Sequence, residues 1–152
     1  MNYWLMKSEP KVYSLTDLEQ EQETIWDGVR NFQARNFLRK MNEGDWAFFY
    51  HSNTKIPGIV GLTSITKTGI TDPTQFDPNS QYYDPKSTVE SPRWQTVVVQ
   101  FVEVFPQTIS LSMLKQEFNA EELLAVKRGN RLSVMPVLEK VAQRILIIGR
   151  SK

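Results

Sequence analysis

The run Trp94–Val104 (WQTVVVQFVEV) constrains this chain more than any other segment. Valine and aromatic residues dominate it, and glycine and proline are absent. Such residues suit a pleated, half-buried surface, so the segment reads as a strand. Asp45–Ser52 (DWAFFYHS) and Gly58–Lys67 (GIVGLTSITK) have the same character, and Asn53–Pro57 makes the turn between them. Asn2–Met6 (NYWLM) is a shorter aromatic-rich strand. Lys7-Ser8-Glu9-Pro10 ends it, because proline brings no N–H to a ladder and restricts the residue before it. Leu132–Val134 is a further short candidate. Four or five strands with helices among them predict an α+β fold. So many strands in 152 residues favour a small curled or barrel-like sheet.

The intervening segments carry helix signals. Ser14 with Asp17 three residues on resembles an N-cap, followed by a short polar helix to about Gln22. Asn31 is a second cap, after which Ala34, Phe37, Leu38 and Met41 fall on one face, with Gly44 as the stop. Ser110–Gln116 predicts a short helix. Asn119 with Glu122 predicts another, ended by Gly129. Pro136 is expected in the first turn of a last helix, with Val137, Val141, Ile145 and Ile148 on one side. Residues 69–93 hold Pro73, Pro78, Pro85 and Pro92 and read as a long ordered excursion. No repeat or linker divides the chain, so one domain over 1–152 is expected.

Composition excludes several chemistries. With no cysteine there is no disulfide, thiol nucleophile or thiolate cluster, and one histidine, His51, is too little for a zinc site. No metal or cofactor is expected. No apolar run reaches the roughly 18–20 residues that span a bilayer, and the opening MNYWLMKSEP lacks the pattern of a secretory leader. The expectation is a soluble, cytoplasmic monomer without a membrane partner.

The 18 basic and 17 acidic residues nearly cancel, but they are segregated. From Gly28 to Asn42 stand Arg30, Arg35, Arg39 and Lys40 with no acid, and Lys127, Arg128 and Arg131 form a second basic turn. Acids crowd into Asp17–Glu23. This is the pattern of a one-sided phosphate-binding face, and equally of a solvated helix surface. Aromatic residues accompany the basic segments, among them Tyr13, Trp26, Tyr82 and Tyr83, and bases stack on such rings. Trp46, Phe48, Phe101 and Phe105 lie inside strand runs and are assigned to the core. Trp26 instead falls in a polar stretch, Thr24–Gly28, just before the basic helix. A hydrolase built on Ser8, His51 and Asp84 is the rival reading. No nucleophile-elbow or phosphate-loop motif supports it.

Six blocks, in order, carry a resemblance: MNYWLMKSEP, TIWDGVRNFQARNFLRKMNEGDWAFFYHSN, GIVGL, YYDPKS, PRWQTV and KRGNRLSVMPV. Together they resemble the EVE domain family across nearly the whole chain. That likeness implies a PUA-like fold, a small mixed β-barrel flanked by helices. EVE domains are related to YTH domains, which enclose a methylated base of RNA in an aromatic pocket. The resemblance therefore implies a non-catalytic reader of a modified base, chiefly a modified cytosine in DNA, with a modified RNA as the alternative. It further implies an effector partner, such as a nuclease, for any cleavage.

By the same resemblance Trp26 stacks on an extruded base and Ser8 bonds a base edge. Gly28 lets the backbone approach the base, and Asn31 offers an amide that serves donor or acceptor, although its role as a helix cap explains it equally. His51 and Ser52 border the pocket and Tyr83 is a candidate wall. Lys7, Arg30, Arg35, Arg93, Arg128 and Arg131 are the expected backbone contacts, with Arg30 and Arg35 alternatively positioning the loop. Trp94 is assigned to the core in preference to the cage. Trp26→Ala is expected to abolish binding and spare the fold.

Overall fold

The strand-like runs form the middle of a six-stranded mixed sheet with four α-helices around it. A computed structural model describes residues 1–151, and Lys152 lies outside the described residues. The strands are β1 (Tyr3–Ser8), β2 (Glu23–Ile25), β3 (Trp46–His51), β4 (Gly58–Thr71), β5 (Gln95–Ser110) and β6 (Val134–Val137), in the order β2-β5-β4-β3-β1-β6. β1 runs parallel to β3, so Ser8 and His51 finish side by side. The other pairings are antiparallel. Register shifts in β4–β5 at several points, and each bulge bends the strand and deepens its twist, which curls the sheet. This is the expected α+β, PUA-like class.

Side chains alternate between two cores because neighbouring strand residues face opposite sides. Leu5, Phe48 and Leu62 pack beneath α3 (Leu111–Glu117) and α4 (Glu139–Arg150), through Leu114, Val141 and Ile145. Trp4, Met6, Phe49 and Ile65 pack beneath α1 (Leu15–Glu21) and α2 (Phe32–Lys40), through Leu18, Ala34 and Leu38. Ser14 and Asp17 form the predicted capping box of α1, and the Asn31 side chain accepts from the Ala34 N–H at the start of α2.

Several predictions of local structure change. Pro136 sits in β6 opposite Trp4, outside the last helix, which starts at Glu139. β6 is an edge strand, where a missing N–H costs no ladder bond. Asn119 and Glu122 exchange the expected capping bonds, but only a 3-10 turn, Leu124–Val126, follows. α2 ends at Lys40, ahead of Gly44. β5 extends past Val104 through Pro106 to Ser110, across an irregularity where the ladder to β4 is interrupted. β2 was not foreseen, being only three residues long.

The excursion after β4 is ordered by one buried amide. Gln75 is fully buried and donates to the carbonyls of Asp72 and Trp94. Its oxygen accepts from the Ser87 hydroxyl and the Arg93 and Trp94 N–H groups. A proline-rich segment with few ladder bonds is thus stitched to the start of β5.

Candidate functional site

A cleft of about 840 Å³ opens where the parallel strands β1 and β3 end. Its floor and walls come from Lys7 and Ser8 at the end of β1, Trp26–Asn31 after β2, Ser52 after β3, and Arg131–Ser133 before β6. The Lys7 N–H donates to the Ser133 carbonyl and the Ser52 N–H to the Ser8 carbonyl, so three separate chain segments are tied together there. Ligand cavities typically measure roughly 300–1,000 Å³, so the volume suits a nucleoside-sized guest.

Trp26 lines the cleft but is only 6% exposed. Its N–H donates to the Val97 carbonyl, the Thr96 hydroxyl donates to its carbonyl, and its ring meets Phe49 edge-on at 5.4 Å. The residue continues the pairing of β2 with β5 and belongs to the core as well as the wall. Removing a buried tryptophan costs about 3–5 kcal/mol, so Trp26→Ala is expected to weaken the fold as well as the site, where the sequence reading expected the fold to be spared.

The second aromatic wall is Tyr82. Tyr83, the predicted wall, is 43% exposed and lies outside the cleft lining. Gly28 has φ +84°, a left-handed conformation that glycine adopts freely, and a Cβ there would stand 2.6 Å from the Tyr82 ring. The close approach expected for Gly28 thus exists, with Tyr82 as the neighbour in the free protein. Tyr13 also lines the cleft, and its hydroxyl is buried without a hydrogen-bond partner. Burial pushes that phenol up.

Asp72 organises this region. The buried carboxylate accepts from the Gly28 N–H at 2.9 Å, from Arg30 at 3.0 Å, and from the Thr74 N–H and hydroxyl at 2.8 and 2.6 Å. Burial alone raises its pKa, but the bonds from Thr74, Gly28 and Arg30 outweigh that and leave the group below the usual carboxylate range. Arg30 spends three further donors on the Tyr82 and Val29 carbonyls and the Thr74 hydroxyl. Of its two expected roles, it takes the one of positioning the loop. Only the Asp-Pro dipeptide, a turn signal, marked Asp72 in the sequence.

Arg35 and Arg93 are likewise occupied. Arg35 donates to the Arg93 carbonyl and lies 4.8 Å from the centre of the Phe32 ring, which stacks on Trp94 at 5.0 Å. Arg93 pairs with Asp84 at 3.2 Å, and the same Asp84 oxygen accepts from the Trp94 indole at 2.7 Å. Trp94 is 5% exposed and is core, as expected. Both arginines lie outside the cleft lining, and so does the exposed Arg128. Arg131 and Lys7 do line it. Burial lowers the Lys7 pKa, and its ammonium has no carboxylate partner among the described residues.

His51 leaves the predicted pocket. Its Nε2 accepts from the Leu15 N–H at 3.1 Å, which fixes the start of α1, and it is absent from the lining. Burial lowers its pKa and so favours the neutral ring that this bond requires. Ser8 donates to the Tyr13 carbonyl at 2.6 Å. Ser8, His51 and Asp84 thus bond to different partners and not to one another, so no hydrolytic triad is assembled.

The sequence model of the EVE domain family matches residues 2–148. The chain belongs to the EVE domain family. Thymocyte nuclear protein 1 of Rattus norvegicus is 45% identical over 163 residues, covering 95% of this chain and 72% of the relative. A solved protein from Pseudomonas syringae is 49% identical with a TM-score of 0.92, covering 96% of this chain and 98% of the other. Human THYN1, solved in complex with 5-methylcytosine-containing DNA, superposes with a TM-score of 0.92 at 41% identity, covering 100% and 99% of the two chains.

In this EVE domain the cleft combines three aromatic rings, Tyr13, Trp26 and Tyr82, with polar groups left open. Asn31 keeps its Nδ2 donors, because its oxygen is spent on capping α2; it offers a donor only, where the sequence left both options. Asp27, exposed at the lining, makes no side-chain hydrogen bond among the described residues. The arrangement can hold a flat, polar-edged ring, with Arg131 available to an anion at the rim and the Lys7 ammonium set over the Tyr50 ring, 5.2 Å from its centre.

Proposed function

We propose that this EVE domain is a non-catalytic reader of a modified base, a modified cytosine in DNA, taken into the cleft as a flipped nucleotide. The observation that carries the reading is the cleft itself: Tyr13, Trp26 and Tyr82 as rings, open polar groups at Asp27 and Asn31, and the Arg131 cation at its edge. The DNA complex of human THYN1 supports it. A base inside a duplex is out of reach, so flipping costs a few kcal/mol. Stacking returns about 1–3 kcal/mol per ring, and edge hydrogen bonds with phosphate contacts offset the rest. A methyl group in an apolar corner adds about 1 kcal/mol, which makes recognition of modification about fivefold unless a polar feature is read too.

The test is a binding titration with matched oligonucleotides carrying cytosine, 5-methyl-, 5-hydroxymethyl- or 5-formylcytosine, or N6-methyladenine, at two salt concentrations. Salt-sensitive binding that prefers one modified cytosine is the expected result. Equal affinity for all five overturns base reading.

A further inference from the structure

We propose that Asp27 selects the cytosine ring, by accepting a hydrogen bond from the exocyclic N4 amine of the base in the cleft, and so excludes thymine and uracil. The inference rests on the reading of the cleft as a base pocket. 5-Methylcytosine and thymine have the same outline and the same methyl group. Shape and stacking therefore treat them alike, and only the edge differs: cytosine presents an amine donor at position 4, thymine a carbonyl acceptor. A reader of methylated cytosine consequently needs an acceptor in its pocket that thymine cannot satisfy.

Asp27 meets that need. It stands between Trp26 and Gly28, so its carboxylate arises from the segment that supplies the stacking ring. No described residue hydrogen-bonds to it. The Arg30 guanidinium is directed instead to Asp72, Thr74 and two carbonyls. Glu9, another acid of the lining, already accepts from the Asn53 amide. The open donors of Asn31 complement this acceptor, suiting the O2 and N3 acceptors of cytosine. Partial burial, with Asp72 close by, pushes the Asp27 carboxyl up against the opposing pull of the Arg30 charge, so the carboxylate is only partly compensated in the free protein. An amine donor supplies what it lacks.

The test uses single-stranded oligonucleotides with one central cytosine, 5-methylcytosine or thymine, which removes any difference in pairing cost. The wild type is expected to bind 5-methylcytosine about tenfold or more over thymine, the range of one well-made edge contact. In Asp27→Asn the amide can turn a donor toward the thymine carbonyl, and the ratio is expected to fall to about threefold or less. Asp27→Ala is expected to collapse the same ratio, and matched thermal melts show that both variants are folded. An unchanged 5-methylcytosine-to-thymine ratio in both variants overturns the role of Asp27. So does a wild type that prefers 5-methylcytosine over cytosine yet binds thymine equally well, and there the base-reading proposal survives. A wild type that does not distinguish 5-methylcytosine from cytosine overturns base reading itself.

Discussion

Gly28→Ala tests the geometry of the cleft without any ligand. Two costs follow from the structure. An L-residue at φ +84° adopts the left-handed conformation, at about 1–2 kcal/mol. The new methyl also stands 2.6–2.9 Å from three carbons of the Tyr82 ring, nearer than a Cβ can sit, so the ring must leave. Its departure forfeits the Arg30–Tyr82 cation–π contact at 5.7 Å and the packing on Gly28. That contact is worth about 0.5–1 kcal/mol. The sum is about 1.5–3 kcal/mol, a fall in Tm of roughly 3–12 °C for a chain of this size. In a Tyr82→Ala background only the backbone strain remains, so the same substitution costs about 1–2 kcal/mol. Urea denaturation of the four proteins of this cycle measures both values. Costs for Gly28→Ala that agree within about 0.5 kcal/mol in the two backgrounds would refute the placement of Tyr82 over Gly28.

Two other perturbations probe the scaffold behind the cleft. Asp72 has a lowered pKa in the folded protein, so its contribution is present above the ordinary value near ~3.9 and is lost as pH falls through the lowered one. Urea melts of wild type and Asp72→Asn are expected to differ most at neutral pH and to converge below about pH 4; a gap that stays constant with pH would exclude the carboxylate as its source. Gln75→Ala removes the amide that binds Asp72, Ser87, Arg93 and Trp94, leaving buried groups unpaired at about 1–3 kcal/mol each. Limited proteolysis is expected to cut between residues 77 and 92 much faster than in the wild type, and an unaltered pattern counts against the hub.

What could be read in the sequence was local. Ser14, Asn31 and the strand runs declare themselves within a few residues, because capping and pleating are short-range. The site depends on pairings across 40 or more positions, and these left little trace. Asp72 reaches Gly28 and Arg30, and over a slightly shorter span, 36 positions, His51 reaches Leu15. Tyr82 and Tyr83 are chemically alike neighbours. A turn in the excursion decides which one faces Gly28, and composition has no access to that. Trp26 looked like a loop residue because β2 is too short to show a period.

The basic residues show how such distant pairings alter a functional estimate. Six cations, Lys7, Arg30, Arg35, Arg93, Arg128 and Arg131, are phosphate contacts by sequence, and if all six acted, log K against log salt for duplex DNA would slope at about −5. Arg30 and Arg93 are paired with Asp72 and Asp84, and Arg35 is held by the Arg93 carbonyl. Releasing them for DNA would break the excursion that carries Tyr82. Lys7, Arg128 and Arg131 remain, and three contacts give a slope of about −3. Fluorescence anisotropy across a salt series on one duplex distinguishes the two. A slope near −3 means the basic helix is scaffold, its charges spent on holding the aromatic wall in place. A slope steeper than about −4 would mean that at least part of this scaffold lets go when DNA arrives, and that Tyr82 moves with it.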